Sequence, residues 1–121
     1  MVTVDFASYA QKWIAAWNAH DLDGILSDYA DDVELISPFV AKLTGQSPGV
    51  LRGKAALRDY FAQALNAYPT LRFEFIRVYL GVQSCVLEYR SINGLCAAET
   101  MEFHEQGKVR RVLAHYYEEA H

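Results

Sequence analysis

Two glutamates and an arginine lie on either side of the strongest turn signal in the chain, Asn93-Gly94. An Asn-Gly pair between two strand-like segments predicts a hairpin with a two-residue turn. That turn would place Glu88 directly opposite Glu99, with Arg90 on the same face, because alternate residues of a strand share a face. The same register gives the other expected pairs: Ile92 with Leu95, Arg90 with Ala97, and Val86 with Met101.

Opposed carboxyl groups repel when both are charged, so one of the pair should bind a proton more readily than a free glutamate. Arg90 would favour the charged form of its neighbour. Such a set can act as a general acid and base, with Glu99 as the leading group and Glu88 and Arg90 as catalytic partners that tune it. The alternative is a network of salt bridges among the same three residues on the outer face of the sheet.

The sequence offers few signs of other chemistry. The two cysteines, Cys85 and Cys96, lack metal-ligand spacing, and no two histidines are spaced with a carboxylate as metal ligands would be. We therefore expect no metal. The chain has no phosphate loop, dinucleotide fingerprint or nucleophile elbow, so we expect no cofactor either.

Composition and charge limit the partners. The 121 residues predict a single domain, residues 1–121, and the net charge of −4 with a pI near 5.5 argues against a nucleic-acid partner. No apolar run has the length of a membrane span, and the start lacks the features of a signal peptide. We expect no membrane partner, and a cytoplasmic location by default.

Periodicity predicts three helices followed by strands. Apolar residues recur every three or four places from Phe6 to about His20, Asp21 can cap a short second helix, and a third runs from Lys54 to Ala67. Residues 39–53 are expected to form a loop and a candidate lid. The expected strands are residues 33–37, 71–80, 82–92, 95–103 and 109–117. This order predicts an α+β fold in which the helices pack across one face of a curved antiparallel sheet.

Several short motifs, in this order along nearly the whole chain, resemble the nuclear transport factor 2-like superfamily in its SnoaL-like and ketosteroid-isomerase-like branch. They are Trp17-Asn18-Ala19-His20-Asp21, Tyr29-Ala30-Asp31-Asp32-Val33, Pro38-Phe39, Arg52-Gly53-Lys54, and Glu102-Phe103 followed by Gly107-Lys108-Val109. The resemblance implies a cone-shaped α+β barrel around a deep apolar pocket, usually in a homodimer. Members of the superfamily include isomerases, polyketide cyclases, dehydratases, epoxide hydrolases and binding domains, so the fold does not determine the function.

The resemblance also assigns positions within the site. Ketosteroid isomerases carry a carboxylate base just before the Pro-Phe pair, where this chain has Ser37, and a helix-one tyrosine where it has Trp13. Serine cannot act as a base near neutral pH, so the chain is not expected to be a ketosteroid isomerase. Glu99 matches the position of the family's neutral acid. The Glu88, Arg90 and Glu99 set also broadly resembles the carboxylate-arginine-carboxylate arrangement of limonene epoxide hydrolases, with the residue order reversed. The expected substrate-binding positions are Trp13, Tyr29, Ser37, Phe61, Met101, Val112, Ala114 and Tyr116.

Three functions remain open at this stage. The first is a cofactor-independent isomerase, cyclase, dehydratase or hydrolase acting on a small apolar molecule, possibly cyclic or polyketide-like. The second is a non-catalytic protein that binds such a molecule, and the third is a dimerisation domain with a filled, vestigial cavity. A homodimer is expected through the outer sheet face, to which the register assigns Cys85, Leu87, Tyr89, Leu113, His115 and Tyr117.

Overall fold

Side-chain caps begin the first two helices where the sequence predicts them. The computed structural model describes residues 3–45 and 48–118. The Asp5 carboxylate accepts a hydrogen bond from the Ser8 amide at 3.1 Å, and Asp21 does the same for the Gly24 amide at 3.1 Å. The helices of the described residues are α1 (Phe6–Asn18), α2 (Leu22–Leu26), α3 (Pro38–Thr44) and α4 (Lys54–Ala67).

A curved six-stranded sheet supports these helices and confirms the predicted α+β cone. Its strands are β1 (Tyr29–Ile36), β2 (Val50–Arg52), β3 (Glu74–Leu80), β4 (Ser84–Arg90), β5 (Leu95–Phe103) and β6 (Val109–Glu118), in the spatial order β2-β1-β6-β5-β4-β3. All neighbouring pairs are antiparallel except β1 and β6, which run parallel. The core lies between the inner face of this sheet and the apolar faces of α1 and α4.

The segment predicted to be a loop contains two elements that the sequence did not reveal. Pro38 ends the first strand, as predicted, but it also starts α3, where its missing N–H has no helical partner to lose. Ser37 caps this helix by accepting a hydrogen bond from the Phe39 amide at 3.2 Å, and Gly45 ends it in the left-handed conformation. The short strand β2 then pairs with β1. The predicted uninterrupted loop over residues 39–53 was therefore wrong.

The hairpin register was also predicted incorrectly, by one residue. Ser91 donates its amide hydrogen to the Leu95 carbonyl at 2.7 Å, so the connection is a three-residue loop, Ile92–Gly94. Leu87 consequently lies opposite Glu99, and Glu88 lies opposite Ala98. The other predicted pairs shift in the same way: Tyr89 pairs with Ala97, Arg90 with Cys96, and Cys85 with Met101.

A slip of one residue moves every side chain of a strand to the other face of the sheet. Cys85, Leu87 and Tyr89, which were predicted on the outer face, are no more than 2% exposed and belong to the core. The two-residue turn would have exposed these side chains to water and turned two charged residues inward. Exposure would cost about 1.5–3 kcal/mol of folding free energy for each large apolar side chain. On β6, two residues predicted on the outer face do lie there: His115 is exposed, and Tyr117 is 65% exposed.

Candidate active site

An aromatic cavity opens between the helices and the inner face of the sheet. The centre of a water-sized sphere can occupy about 60 Å³ of its interior. That volume corresponds to roughly four water molecules, or about 120 Å³ of liquid. The cavity therefore has room for a small molecule. The lining residues are Trp13, Trp17, Tyr29, Leu35, Ser37, Phe39, Leu43, Tyr60, Phe61, Ala64, Tyr68, Leu71, Phe73, Tyr89, Ser91, Ile92, Glu99, Val112 and Tyr116.

Glu99, on β5, supplies a carboxyl group to this apolar wall. It is 8% exposed, and its Oε1 accepts a hydrogen bond from the Tyr89 hydroxyl at 3.1 Å. Burial raises the pKa of Glu99 to about 7 because the charged form loses its solvation, and the Tyr89 hydrogen bond lowers that pKa in part. Among the described lining residues there is no other carboxyl and no lysine, arginine or histidine. Near neutral pH, Glu99 can therefore either accept or donate a proton.

Tyr89 is held rigidly beside this carboxyl. It is 1% exposed, and its ring packs against Phe73 at 4.6 Å and Trp13 at 5.2 Å between ring centroids. It pairs with Ala97, so it lies diagonally across from Glu99 on the same face of the hairpin. Burial and the charge of Glu99 raise the pKa of Tyr89 well above its usual value, so its hydroxyl stays protonated and available as a donor.

Tyr29, at the start of β1, presents a second hydroxyl whose orientation is fixed. It accepts a hydrogen bond from Trp13 Nε1 at 3.1 Å, which leaves its own hydrogen free to be donated. Burial and the negative charge of Glu99 raise the pKa of Tyr29 far above its usual value. Tyr29 is therefore a neutral donor close enough to Glu99 to feel its charge.

Three further hydroxyls meet on the wall formed by β6, α4 and the end of β1. Ser37, Tyr60 and Tyr116 all line the cavity there. Burial, with the charge of Glu99, raises the pKa of both tyrosines, and their contacts with Ser37 partly offset the rise. These three hydroxyls add polar groups to a wall that is otherwise mostly aromatic and aliphatic.

The structure brings most of the predicted site residues to the cavity. Seven line it: Trp13, Tyr29, Ser37, Phe61, Glu99, Val112 and Tyr116. Met101 and Ala114 are buried on the same side of the sheet but do not line the cavity.

Two of the three predicted catalytic residues lie elsewhere. The Glu88 carboxylate contacts Arg77 Nε at 3.3 Å and the Tyr79 hydroxyl at 3.1 Å, on the other face of the hairpin from Glu99. Arg90 lines a separate groove with Arg72 and Glu74. The expected meeting of Glu88, Arg90 and Glu99 was therefore wrong, because it depended on the two-residue turn.

Sequence reasoning missed Tyr89, Tyr60 and Phe73 as cavity residues. The alternation of Cys85, Leu87 and Tyr89 on β4 could have revealed Tyr89, since three apolar residues in that spacing favour the buried face. Phe73 is placed by a contact that no local pattern encodes. Asn18 donates to the Phe73 carbonyl at 2.9 Å and accepts from the Phe73 amide at 2.6 Å, which fixes this residue against α1.

Comparison with known proteins agrees with this architecture. The SnoaL-like domain family model matches residues 10–116. A SnoaL-like protein of unknown function from Burkholderia thailandensis is 42% identical, with a TM-score of 0.91 over 97% of this chain and 98% of the other. Two more distant structures are similar in fold alone. A provisionally assigned ketosteroid isomerase from Kribbella flavida is 18% identical, with a TM-score of 0.72 over 95% and 79% of the two chains. A provisionally assigned polyketide cyclase from Sinorhizobium meliloti is 11% identical, with a TM-score of 0.72 over 89% and 94%.

Within residues 3–45 and 48–118, no helix is both long enough and apolar enough to cross a membrane.

Proposed function

The chain belongs to the SnoaL-like domain family, and from that premise we propose that it is a cofactor-independent enzyme in which Glu99 moves a proton on a compact, largely apolar cyclic substrate. The observation that carries the proposal is the state of Glu99. A carboxyl group buried in an aromatic cavity, with a pKa of about 7, is suited to general acid/base catalysis at neutral pH. The substrate's ring would pack against the aromatic wall.

The reaction step follows from the groups around Glu99. With Oε1 held by Tyr89, the ionised carboxylate takes a proton from a substrate C–H next to a carbonyl group. The C–H electron pair forms a carbon–carbon double bond, and the carbonyl oxygen gains negative charge. Tyr29 would donate its hydrogen to that oxygen, because its own oxygen is already held by Trp13. The neutral Glu99, whose proton exchanges with solvent, then returns a proton to the same carbon or to a conjugated one.

This proposal differs from the carboxylate pair predicted from sequence. Glu88 lies on the other face of the hairpin, so Glu99 would be tuned by burial and neutral hydroxyls rather than by a second charge. Ser37 occupies the position of the isomerases' base and has no basicity near neutral pH. A mechanism with one carboxyl, which takes a proton and later returns one after exchange with solvent, needs no second base.

Proton exchange provides the test. Cyclohexanone, cyclohex-2-enone and acetophenone would each be incubated with the protein in D₂O, and loss of the α-proton signal followed by NMR. We expect wild-type protein to accelerate exchange of at least one of them, Glu99→Gln to reduce the rate to background, and Glu88→Gln to retain it. Glu88→Gln is the matched control because it makes the same chemical change outside the cavity. Exchange that survives in Glu99→Gln would contradict the proposal.

The second candidate function is non-catalytic binding of a similar molecule. The observation that favours it is Ser37, because the carboxylate base of the isomerases is missing. A binding protein would retain its ligand in Glu99→Gln and would show saturation-transfer NMR signals from the ketones without α-proton exchange. The vestigial, filled cavity is disfavoured by the free space in the pocket.

A homodimer through the outer sheet face remains a prediction, as does a cytoplasmic location. Tyr117 and Tyr79 are 65% and 51% exposed, which supports a covered surface there. We expect light scattering to give twice the chain mass of 13.7 kDa at micromolar concentration, and Tyr117→Glu to give a monomer. A wild-type monomer would contradict the dimer.

A further inference from the structure

The cavity wall combines one acidic side chain with many aromatic rings. More than half of the residues that line it are aromatic. The rings of Trp13, Phe73 and Tyr89 lie next to one another, with centroids between 4.6 and 5.8 Å apart. The face of an aromatic ring carries partial negative charge, so it attracts a cation more strongly than a neutral group of the same shape. Such a wall therefore suits a small organic cation as well as an apolar molecule.

Glu99 presents one of its two carboxyl oxygens to the open space of the cavity. Its Oε1 accepts the Tyr89 hydrogen bond at 3.1 Å, whereas Oε2 makes no hydrogen bond with a described residue. Oε2 nevertheless borders open space, unlike the fully enclosed and unpartnered Nε1 atom of Trp17. No lysine, arginine or histidine lines the described cavity wall and could pair with this carboxylate. A buried carboxylate without a cation is costly, and a cationic ligand at Oε2 would supply the missing partner.

We propose that the cavity binds a small organic cation, such as an alkylammonium group, with its charge next to Glu99 Oε2 and its alkyl groups against the aromatic wall. The net charge of −4 also favours the approach of a cation over that of an anion. The inference deepens the proposed function by naming a substrate class, a compact ketone that carries a protonated or quaternary amine. It rests on that function only for the reaction, in which the positive charge would keep Glu99 in the ionised form that takes a proton from carbon.

The test compares tetramethylammonium chloride with tert-butanol, a neutral molecule of nearly the same shape. Each is titrated into the protein at pH 8 and constant ionic strength, and the NMR shifts of the Trp13 and Trp17 indole N–H groups give the dissociation constants. We expect tetramethylammonium to bind about tenfold or more tightly than tert-butanol. Glu99→Gln should remove most of this preference, whereas Glu88→Gln, the same change on the other face of the hairpin, should retain it. Equal affinities of the two molecules for the wild type would overturn the inference.

The pH dependence of binding provides a second measurement. Because a cation binds the ionised carboxylate better, the affinity for tetramethylammonium should rise up to about tenfold from pH 6 to pH 8, on either side of the Glu99 pKa of about 7. Conversely, saturating tetramethylammonium should lower the midpoint of the Glu99 carboxyl-carbon titration, because the coupling is reciprocal. tert-Butanol should show neither effect. An affinity for tetramethylammonium that stays the same from pH 6 to pH 8 would overturn the contact with Glu99.

Other titratable groups near Glu99 do not account for such a pH dependence. The side chains whose pKa responds to the charge of Glu99 are Tyr9 from α1, Tyr29 from β1, Tyr60 from α4, Cys85 and Tyr89 from β4, and Tyr116 from β6. Burial raises the pKa of each one above its usual value, so all of them are neutral between pH 6 and pH 8. A change of affinity in this range therefore reports on Glu99.

The contribution of the aromatic rings can be tested without truncating a core side chain. Trp13 and Trp17 are the two tryptophans of the sequence, and both line the cavity. Replacing both with 5-fluorotryptophan during expression withdraws electron density from the rings, so it should weaken tetramethylammonium binding and leave tert-butanol binding nearly unchanged. Equal effects on the two molecules would overturn the role of the rings. If tetramethylammonium binds as expected but no ketone exchanges its protons, the cation site stands and only the proposed reaction is refuted.

Discussion

The buried state of Glu99 predicts a specific dependence of stability on pH. Its pKa is raised from 4.5 to about 7 in the folded protein, mainly by burial. A raised carboxyl pKa means that the neutral form fits the folded state better, so the stabilisation is fully present below pH 4.5 and is lost as the pH rises through 7. A rise of that size corresponds to about 3 kcal/mol of unfolding free energy.

The comparison that isolates this effect is Glu99→Gln, which resembles the neutral acid at every pH. We expect the variant and the wild type to have similar unfolding free energies at pH 4.5, and the variant to be more stable by about 3 kcal/mol at pH 8. Urea denaturation at several pH values measures this difference. Other titrating groups, such as Asp32 beside His104, contribute to both proteins and cancel.

Glu88→Gln is the control, because the Glu88 carboxylate is partly exposed beside Arg77. Its effect should stay within about 1 kcal/mol, as for other surface ion pairs. A constant difference between wild type and Glu99→Gln from pH 4.5 to 8 would refute the reasoning. That result would mean that the Glu99 carboxyl is well solvated in the folded protein.

Two other substitutions test the surroundings of the site. Tyr89→Phe removes the hydrogen bond that lowers the pKa of Glu99. The midpoint of the Glu99 titration, followed by NMR of its side-chain carboxyl carbon, should therefore rise above about 7. A lower midpoint would show that Tyr89 favours the neutral acid. Asn18→Ala removes both hydrogen bonds to the Phe73 backbone and should cost about 1–3 kcal/mol in urea denaturation, whereas Asn66→Ala, at an exposed site on α4, should cost little. Equal effects of the two alanine variants would show that the Phe73 contact contributes nothing to stability.

The sequence predicted the elements whose signals are local and repeated. The helix from Lys54 to Ala67 and the strand from Leu95 to Phe103 were predicted with the bounds that the structure has. It did not predict α3 or β2, which contain seven and three residues. Elements this short have too few residues for a period to be visible, and Pro38 is compatible with both the end of a strand and the start of a helix.

The candidate site was harder to predict because it depends on pairing between distant segments. Asn93-Gly94 correctly indicated a hairpin, but both loop lengths satisfy that local signal. The alternation of Cys85, Leu87 and Tyr89 decided the register, since burying these side chains outweighs a preference for one turn over another. Tyr29 and Trp13 were predicted as cavity residues by family resemblance, whereas their mutual hydrogen bond required the folded geometry.

The one-residue change of register also changes how Glu99 is tuned. A glutamate tuned by Glu88 and Arg90 would respond to added salt, because salt screens the interaction between charges. In the structure the described lining residues include no second charge, and burial is the main cause of the raised pKa of Glu99. The loss of solvation that burial causes does not depend on ionic strength. The NMR midpoint of Glu99 should therefore change little between about 0.01 M and 1 M sodium chloride, conditions over which the screening length falls from about 30 Å to about 3 Å. A large shift of the midpoint would instead reveal a charged neighbour and restore the paired-carboxylate interpretation.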